Sequence, residues 1–414
     1  MDLYGERLMD INKQFMNILF LFVHLPHLDN ETQLFTSLIH EFKKNGHNVL
    51  VSSRDNDNRK HTECVVENGI KVLRVKSRPF TGVSNPIKKA LAYQEYVAKQ
   101  RYLVKKHFSN DKIDLIISHS LPPELAWVIS GLKSSFKCPF YLLQTDFTWQ
   151  DAVAYGMFGK NSPIGLYYRY WEKRMMKLAD YVGCPTDGNI DFIRKEYPWM
   201  SFDKFGIVRF WQKEIYAERS EALKRELGLE GKFVAIYGGS VGKAQRIEHV
   251  VNLAEACRDY KDIVFLILGK GAYLPTIEKM VSEKQLNNVM FKQFMPQEQY
   301  LQLLASCDVG FIILNEKHAT PNFPSKTMSY FNLRVPVLAA IDPVTDYGKY
   351  LDENKAGLWS IAGDVESFRA NLLKYYNSKD YRKEVKENAY RLYKETMLPV
   401  HAYHSIMSQI SKSL

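Results

Sequence analysis

Short apolar runs alternate with stretches of helical periodicity along most of the chain. Residues 17–23 form a continuous apolar run, residues 32–45 carry apolar positions at helical spacing, and residues 49–52 form a second run. A short continuous run is typical of a strand that is buried on both faces of a parallel sheet. Gly46 lies where a glycine often ends a helix. The pattern therefore predicts a β-α-β unit at the start of the chain.

The same alternation continues to the last quarter of the sequence. Strands are predicted over residues 71–75, 115–118, 140–144, 233–237, 264–268, 289–291, 309–314 and 337–340. Helices are predicted over residues 86–107, 165–179, 189–196, 243–259, 273–284 and 297–305, with a further helix that starts near Ser325. Alternating strands and helices imply parallel sheets covered by helices on both faces.

We therefore predict an α/β fold with two doubly wound, Rossmann-like domains. The N-terminal domain is placed at residues 1–210 and the C-terminal domain at residues 211–394, with a helix over residues 395–414 that packs back on the first domain. The two domains are expected to face a cleft, where ligands commonly bind.

Composition excludes several classes of protein. The chain has 414 residues, of which 46% are hydrophobic and 25% are charged, so a disordered chain, a collagen-like repeat and a coiled coil are excluded. The apolar run near the start is far shorter than the roughly 20 residues that span a bilayer. It follows a polar extension with acidic residues and precedes no cleavage site, which argues against a secretory signal. Five scattered cysteines favour a reducing cytoplasm.

The net charge of +10 is concentrated in the first half, where residues 51–150 hold 16 basic and 9 acidic side chains. Such a surplus suits an anionic membrane surface, a phosphate-rich substrate or simply a solvated surface. No nucleic-acid-binding signature accompanies the charge. Basic and aromatic residues interleave over residues 88–106 and 167–174, which makes the N-terminal domain a candidate for contact with the inner face of the cytoplasmic membrane. The alternative is that these helices are amphipathic and pack on their own sheet.

Two loops of the predicted C-terminal domain are suited to bind phosphate. Residues 238–243 form a glycine-rich turn between a strand and a helix and end in Lys243. Glycines let the backbone approach a phosphate, and a helix N-terminus offers free N–H groups. In the second loop, Pro324 and Ser325 suit the entry and N-cap of a helix, and Lys326 is placed to face an anion. The alternatives are a tight turn and an ordinary capped helix.

Two polar residues follow predicted strands of the N-terminal domain. His119 comes directly after the strand at residues 115–118, and Asp146 follows the strand at residues 140–144. Such positions line the ligand-binding edge of open α/β sheets. Otherwise, His119 is hydrogen-bonded within its loop and Asp146 caps the next helix. No cluster with metal-ligand spacing is present, so we expect neither a metal nor a cofactor.

Six motifs in the same order resemble the retaining GT-B glycosyltransferases of family four, in particular bacterial polysaccharide-building, fucosamine-transferase-like members. The resemblance extends from Met16 onward. Its motifs lie at residues 46–51, at 146–149 with Gly156 and residues 179–180, at 238–245, at 268–271, at 294–296 with 305–309, and at 324–330 with 334–339.

The resemblance implies a role for each matching residue. His119, Lys243 and Lys326 would be the catalytic residues, and Asp146 would lie near the acceptor. The donor-binding residues would be Gly239, Ser240, Gly269, Phe294, Asn322, Phe323, Ser325, Thr327 and Ser329. Two glutamates that many members use for the sugar and the ribose fall on Pro321 and Ser329 here, so ribose recognition differs or Ser329 supplies a weaker hydrogen bond.

The expected activity is transfer of a sugar, with retention, from a UDP- or GDP-sugar to a glycan or lipid-linked acceptor, without a metal. The expected process is surface polysaccharide synthesis, such as that of capsule or O-antigen. Three alternatives stay open: a GT-B sugar-nucleotide epimerase, an NAD-dependent Rossmann oxidoreductase and a two-lobed sugar-binding protein. The oxidoreductase lacks the full glycine fingerprint and a clear acidic partner for the ribose.

Overall fold

Residues 15–55, 60–79, 86–292 and 295–412 are described by the structure, a computed structural model, and they form two α/β units. The first unit contains the described residues of 1–149, 158–213 and 399–414, and the second contains 150–157 and the described residues of 214–398. Residues 150–157 therefore belong to the second unit, although the sequence places them within the first domain.

The first unit is built on an eight-stranded sheet in the order β3-β4-β2-β1-β5-β6-β7-β8. Its strands are β1 (Asn17–Leu21), β2 (Asn48–Arg54), β3 (Glu63–Glu67), β4 (Ile70–Val75), β5 (Leu115–His119), β6 (Phe140–Leu143), β7 (Tyr181–Cys184) and β8 (Phe205–Ile207). All neighbours pair in parallel except β3, which runs antiparallel to β4 at the edge. Leu19 lies in register with Leu50 on one side and Ile116 on the other, and all three side chains are buried.

Helices cover this sheet. They are α1 (Leu34–Lys44), α2 (Pro86–Phe108), α3 (Leu125–Phe136), α5 (Pro163–Leu178) and α6 (Asp187–Glu196). The short helix α4 (Thr148–Ala154) starts in the first unit, and its residues from 150 onward belong to the second. After α1, Gly46 takes a φ of +91°, a conformation natural for glycine, so the chain turns into β2 where the sequence predicted. The Ser162 hydroxyl caps α5 by accepting from the Gly165 amide.

The second unit is built on a parallel sheet in the order β11-β10-β9-β12-β13-β14. Its strands are β9 (Phe233–Gly238), β10 (Ile263–Leu268), β11 (Val289–Lys292), β12 (Val309–Ile313), β13 (Val337–Ile341) and β14 (Gly357–Ile361). The strand order reverses between β9 and β12. Ligands of doubly wound sheets bind at such a switch point, beyond the carboxyl ends of the strands.

The helices of the second unit are α7 (Glu221–Glu226), α8 (Glu248–Ala256), α9 (Leu274–Glu283), α10 (Gln297–Ser306), α11 (Lys326–Asn332), α12 (Tyr347–Asn354), α13 (Val365–Asn377) and α14 (Lys379–Thr396). The last helix, α15 (Pro399–Ser411), belongs to the first unit. There His47 Nε2 lies 3.0 Å from the hydroxyl of Tyr403.

The helix predicted over residues 243–259 differs from the structure. A 3₁₀ turn spans Lys243–Gln245, Arg246 adopts a left-handed conformation with φ +50°, and α8 begins at Glu248. The glycine loop therefore does not lead directly into the helix, as the prediction required. Strands β3, β7, β8 and β14 are present in addition to those predicted. Among the described residues, no helix is both long and apolar enough to cross a bilayer.

Candidate functional site

Backbone hydrogen bonds hold the glycine loop, residues 238–243, at the switch point of the second sheet. The Gly239 amide donates to the Leu268 carbonyl at 2.9 Å, and the Val241 amide donates to the Lys270 carbonyl at 3.0 Å. Gly239 has a φ of +149°, which side-chain-bearing residues rarely adopt. No group among the described residues accepts a hydrogen bond from the Ser240 amide. The loop thus presents an unused donor beyond the end of β9.

Lys326 lies against this loop. Its ammonium is 4.7 Å from the centroid of the Tyr237 ring, and a Cβ on Gly239 would lie 2.9 Å from Lys326 Cε. Burial lowers the pKa of Lys326, because it penalises the charged form. In the part of the chain that the structure describes, no carboxylate pairs with Lys326. A desolvated cation without a counter-ion beside a free amide is suited to receive an anion.

Lys243 and Ser325 differ from their predicted settings. Lys243 is exposed in the 3₁₀ turn, so it does not sit at the N-terminus of α8. Ser325 is the N-cap residue of α11, as predicted, but it is exposed and its side chain makes no cap hydrogen bond. Its backbone is already in the α-helical region, whereas an N-cap side chain usually needs an extended backbone to reach the next amides.

The remaining predicted donor residues fall into different environments. Gly269 is buried and packed against the Gly239 carbonyl, whereas Asn322 and Ser329 are half-buried. Thr327 is fully buried and donates a hydrogen bond to the Tyr347 hydroxyl at 2.8 Å, which is a packing role for its side chain. Phe323 is buried against the rings of Tyr347 and Tyr350, and so also packs in the core. Phe294 lies outside the described residues.

Arg246 is bound to a carboxylate. Its guanidinium donates to Glu316 at 2.9 Å and approaches the other oxygen at 2.7 Å, and His249 Nε2 lies 3.2 Å from the same group. Burial opposes ionisation of Glu316, but hydrogen bonds from the backbone and from Arg246 hold its pKa below the usual value. This contact ties the turn before α8 to the loop after β12, which leads on to Lys326.

Residues 150–157 contact the loop between β12 and α11. This contact was not predicted from the sequence. The Asp151 carboxylate accepts from the Ala319 amide at 3.0 Å and from the Thr320 hydroxyl at 2.9 Å. His318 Nδ1 lies 3.5 Å from Asp151 and contacts the Tyr155 hydroxyl. Burial raises the pKa of Asp151 above its usual value, and His318 and the donated hydrogen bonds offset only part of this rise. No sequence signal links Asp151 to a loop 168 residues away.

In the first unit, the structure brings His119 and Asp146 together at the ends of the neighbouring strands β5 and β6. His119 Nε2 lies 3.8 Å from Asp146 Oδ2, and the Thr145 hydroxyl donates to the same oxygen at 2.8 Å while it also contacts His119. The His119 ring packs 5.0 Å from the ring of Phe35. The Asp146 side chain is 43% exposed, so this pair is accessible to a ligand.

No group of three or more His, Cys, Asp or Glu side chains within the described ranges could hold a metal ion.

The match to a known family lies within the second unit. Residues 219–392 match the family Glycosyl transferases group 1. Two curated relatives are similar over 130 residues: the putative colanic acid biosynthesis glycosyl transferase WcaI of Escherichia coli K12, at 25% identity, and the probable glycosyltransferase WbjE of Pseudomonas aeruginosa, at 28%. These segments cover 31% of this chain and 32% of each relative. The chain thus spans about a third of the length of the curated relatives it matches.

Solved structures match nearly the whole chain. Sucrose-phosphate synthase from Thermosynechococcus elongatus has a TM-score of 0.71 at 15% identity over 96% of this chain and 98% of that one. Anabaena Alr3699/HepE in complex with UDP-glucose has a TM-score of 0.67 at 15% identity over 96% and 100%. WaaG, a glycosyltransferase involved in lipopolysaccharide biosynthesis, has a TM-score of 0.60 at 16% identity over 94% and 98%. The predicted GT-B fold of two α/β domains is confirmed.

Proposed function

We propose that this chain is a glycosyltransferase that moves a sugar from a nucleoside diphosphate donor to a glycan or lipid-linked acceptor during bacterial polysaccharide synthesis. The match to the group 1 family, WcaI, WbjE and the UDP-glucose complex of HepE support the reaction class and the donor class. Because HepE is only 15% identical, its likeness shows the fold, and the nucleotide-sugar donor that we infer from it is part of the proposal.

One observation carries the proposal: Lys326 is half-buried, its ammonium lies beside the glycine loop, and it has no carboxylate partner among the described residues. Placing a charge in a poorly solvated site costs free energy unless an opposite charge compensates it. A diphosphate supplies that charge and also accepts from the Ser240 amide. The site lies at the switch point between β9 and β12, where doubly wound sheets bind nucleotides.

The proposed mechanism follows from where charge develops. When the sugar leaves, negative charge grows on the departing diphosphate, and preorganised donors stabilise it without reorganisation. The Lys326 ammonium lies over the Tyr237 ring, the Tyr237 hydroxyl donates to the Ser240 carbonyl, and exposed Lys243 adds a mobile charge. We propose that these groups neutralise the diphosphate without a divalent ion, and that the reaction retains the anomeric configuration, as the resemblance to family four implies.

In the first unit, we propose that the His119 and Asp146 pair faces the sugar and the acceptor. The two side chains lie 3.8 Å apart, so a carboxylate is available to accept a proton from an acceptor hydroxyl while the imidazole contacts the transferred sugar. Their distance and the exposure of Asp146 support this assignment; the assignment itself comes from the resemblance.

The experiment that tests the proposed function is a thermal-shift screen with UDP, GDP, dTDP and NAD, because a ligand that binds the native state raises the melting temperature. We expect a shift with one nucleoside diphosphate and none with NAD. Labelled donors of that nucleotide should then yield a transferred sugar or slow donor hydrolysis, and NMR of the product reports the anomeric configuration. Epimerisation of the donor or a shift with NAD alone would instead support an alternative.

We further propose that the first unit contacts an anionic membrane through α5, where a lipid-linked acceptor would reside. Ile164, Leu166 and Tyr170 on this helix are each at least half exposed. Arg169 and Lys173 are exposed as well, whereas the one acidic residue of α5, Glu172, is buried and accepts from a tyrosine hydroxyl. The solvent face of α5 is therefore apolar and cationic, as interfacial helices are.

Replacing both Arg169 and Lys173 by glutamine is expected to weaken binding to phosphatidylglycerol vesicles by about 30-fold. Each basic group near an anionic surface contributes about 1 kcal/mol, so two contribute about 2 kcal/mol. Vesicle sedimentation at moderate salt measures the effect. The matched control replaces the exposed Lys379 and Lys383 on α14, which should leave binding unchanged. Equal binding of the unmodified protein to phosphatidylcholine vesicles would rule out the membrane proposal.

A further inference from the structure

The side-chain amide of Asn322 contacts the imidazole of His318. Asn322 Nδ2 lies 3.2 Å from His318 Nε2 in the loop between β12 and α11, four residues before Lys326. The Asn322 side chain is half-buried, and no donor among the described residues reaches its Oδ1. The orientation of the amide therefore depends on which ring nitrogen of His318 carries the proton.

Asp151 decides the position of that proton. When ionised, its carboxylate can only accept hydrogen bonds, and the Ala319 amide and the Thr320 hydroxyl both donate to it, which stabilises the ionised form against the effect of burial. His318 Nδ1 lies 3.5 Å from Asp151 Oδ1 and also contacts the Tyr155 hydroxyl oxygen. A proton on Nδ1 is attracted by the carboxylate, whereas a lone pair there would be repelled. We therefore assign His318 the Nδ1–H form, in which the ring N–H faces Asp151 Oδ1 and the Tyr155 hydroxyl oxygen.

A lone pair on His318 Nε2 then requires a donor from Asn322. The amide presents its NH₂ group to the ring, so its carbonyl oxygen turns away from His318. We propose that Asp151, acting through His318, fixes the Asn322 amide so that Oδ1 accepts a hydrogen bond from a hydroxyl of the donor sugar. This inference rests on the proposed function, and it makes Asp151 a positioning residue.

The backbone of Asn322 is held from the opposite side. The Thr345 hydroxyl donates to the Asn322 carbonyl at 2.7 Å, and the Asn322 amide approaches the same hydroxyl at 3.2 Å. The Thr345 amide in turn donates to Asp342 at 2.8 Å. Thr345 holds the backbone of Asn322, and His318 contacts its side chain. The remaining variable is whether the NH₂ group or the Oδ1 atom of the Asn322 amide faces away from His318.

This arrangement supplies the acceptor that the sequence lacks. The resemblance places a sugar-binding glutamate at the position of Pro321, which has no side-chain acceptor. The side-chain oxygen Oδ1 of the neighbouring Asn322 can accept a hydrogen bond and carries no net charge. The site therefore favours a sugar with a free hydroxyl at this position over one that carries a carboxylate or phosphate there, since neither anion can donate to Oδ1.

The first test reads the tautomer directly. In protein labelled with ¹⁵N-histidine, the ring nitrogens of His318 are assigned by their loss in His318→Gln. We expect the Nδ1–H form in the unmodified protein and the Nε2–H form in the isosteric Asp151→Asn variant, whose amide can donate to Nδ1. The Nε2–H form in the unmodified protein overturns the proposal, whether or not a nucleotide binds.

The second test measures how much the sugar adds to donor affinity. The probes are the nucleoside diphosphate that stabilises the protein most and its hexose conjugates, compared by calorimetry. We expect Asn322→Ala and Asp151→Asn each to lower the affinity for the best conjugate by roughly two- to tenfold, the size of one hydrogen bond, without changing the affinity for the free diphosphate. Glu353→Gln, which removes an exposed carboxylate on α12, is the matched control.

The double variant separates positioning from a general structural role. If Asp151 acts through Asn322, then Asp151→Asn adds no further loss to Asn322→Ala. Additive losses, or an equal loss of free diphosphate affinity in Asp151→Asn, overturn the inference. If no nucleoside diphosphate binds the unmodified protein, the proposed function fails, while the tautomer measurement still decides the Asp151 and His318 contact.

Discussion

Lys326→Ala is expected to lower turnover by about 100- to 1,000-fold, the cost of removing one preorganised donor from a site of charge development. The reason is the environment of this side chain: it is half-buried, its ammonium lies over the Tyr237 ring and close to Gly239, and it has no carboxylate partner in the described chain. Steady-state kinetics with the donor identified in the nucleotide screen measures the loss. The affinity for the free nucleoside diphosphate should fall as well, because the Lys326 ammonium also interacts with the negative charge of the bound diphosphate before the reaction.

The control for this variant is Lys317→Ala, which removes an exposed lysine from the same loop. It changes the net charge equally and should leave the kinetics within about twofold, since exposed charges interact weakly through water.

The pH dependence of nucleotide binding is a second check. Burial lowers the pKa of Lys326 in the free protein, and a bound diphosphate raises it again, so binding takes up protons and weakens as the pH rises through that pKa. Unchanged kinetics in Lys326→Ala would defeat the assignment.

Local periodicity accounts for the parts of the fold that were predicted. A buried strand needs a short apolar run and its covering helix needs an apolar stripe, and both are visible within one segment, as at β1, α1 and β2. The edge strands β3 and β8 were missed because each is short and most of its residues are exposed or half-buried, so neither has the longer apolar run of a strand buried on both faces.

The sequence predicts candidate site residues only where the glycine or charged residues that suggest a function lie within one loop. Gly239 and Lys326 were proposed as site residues because glycine-rich turns and cationic loops are local signals. The pairing of Arg246 with Glu316 joins residues 70 apart, and Asp151 binds its loop from 168 residues away. These long-range contacts hold the turn before α8 and the loop that contains His318, and no periodicity within a single segment encodes them.

A methyl group at Gly269 is expected to abolish nucleotide binding and to destabilise the fold by about 1–3 kcal/mol. A Cβ on this residue would lie 1.8 Å from the Gly239 carbonyl oxygen and 3.0 Å from its carbonyl carbon. Both contacts are with backbone atoms, so no side-chain rotation relieves them. Gly239 cannot simply move away, because its amide donates to the Leu268 carbonyl next to Gly269 at 2.9 Å.

Separating the two strand ends would therefore break that hydrogen bond and carry Gly239 and the Ser240 amide away from Lys326. Urea unfolding of Gly269→Ala measures the loss of stability, and calorimetry with the nucleoside diphosphate measures the loss of binding at a temperature where the variant is folded. Gly159→Ala is the matched control, since the nearest atom to its Cβ would be 4.0 Å away. A folded Gly269→Ala variant with normal nucleotide affinity would show that the diphosphate does not bind over the glycine loop, because no such variant can keep Gly239 where the structure places it.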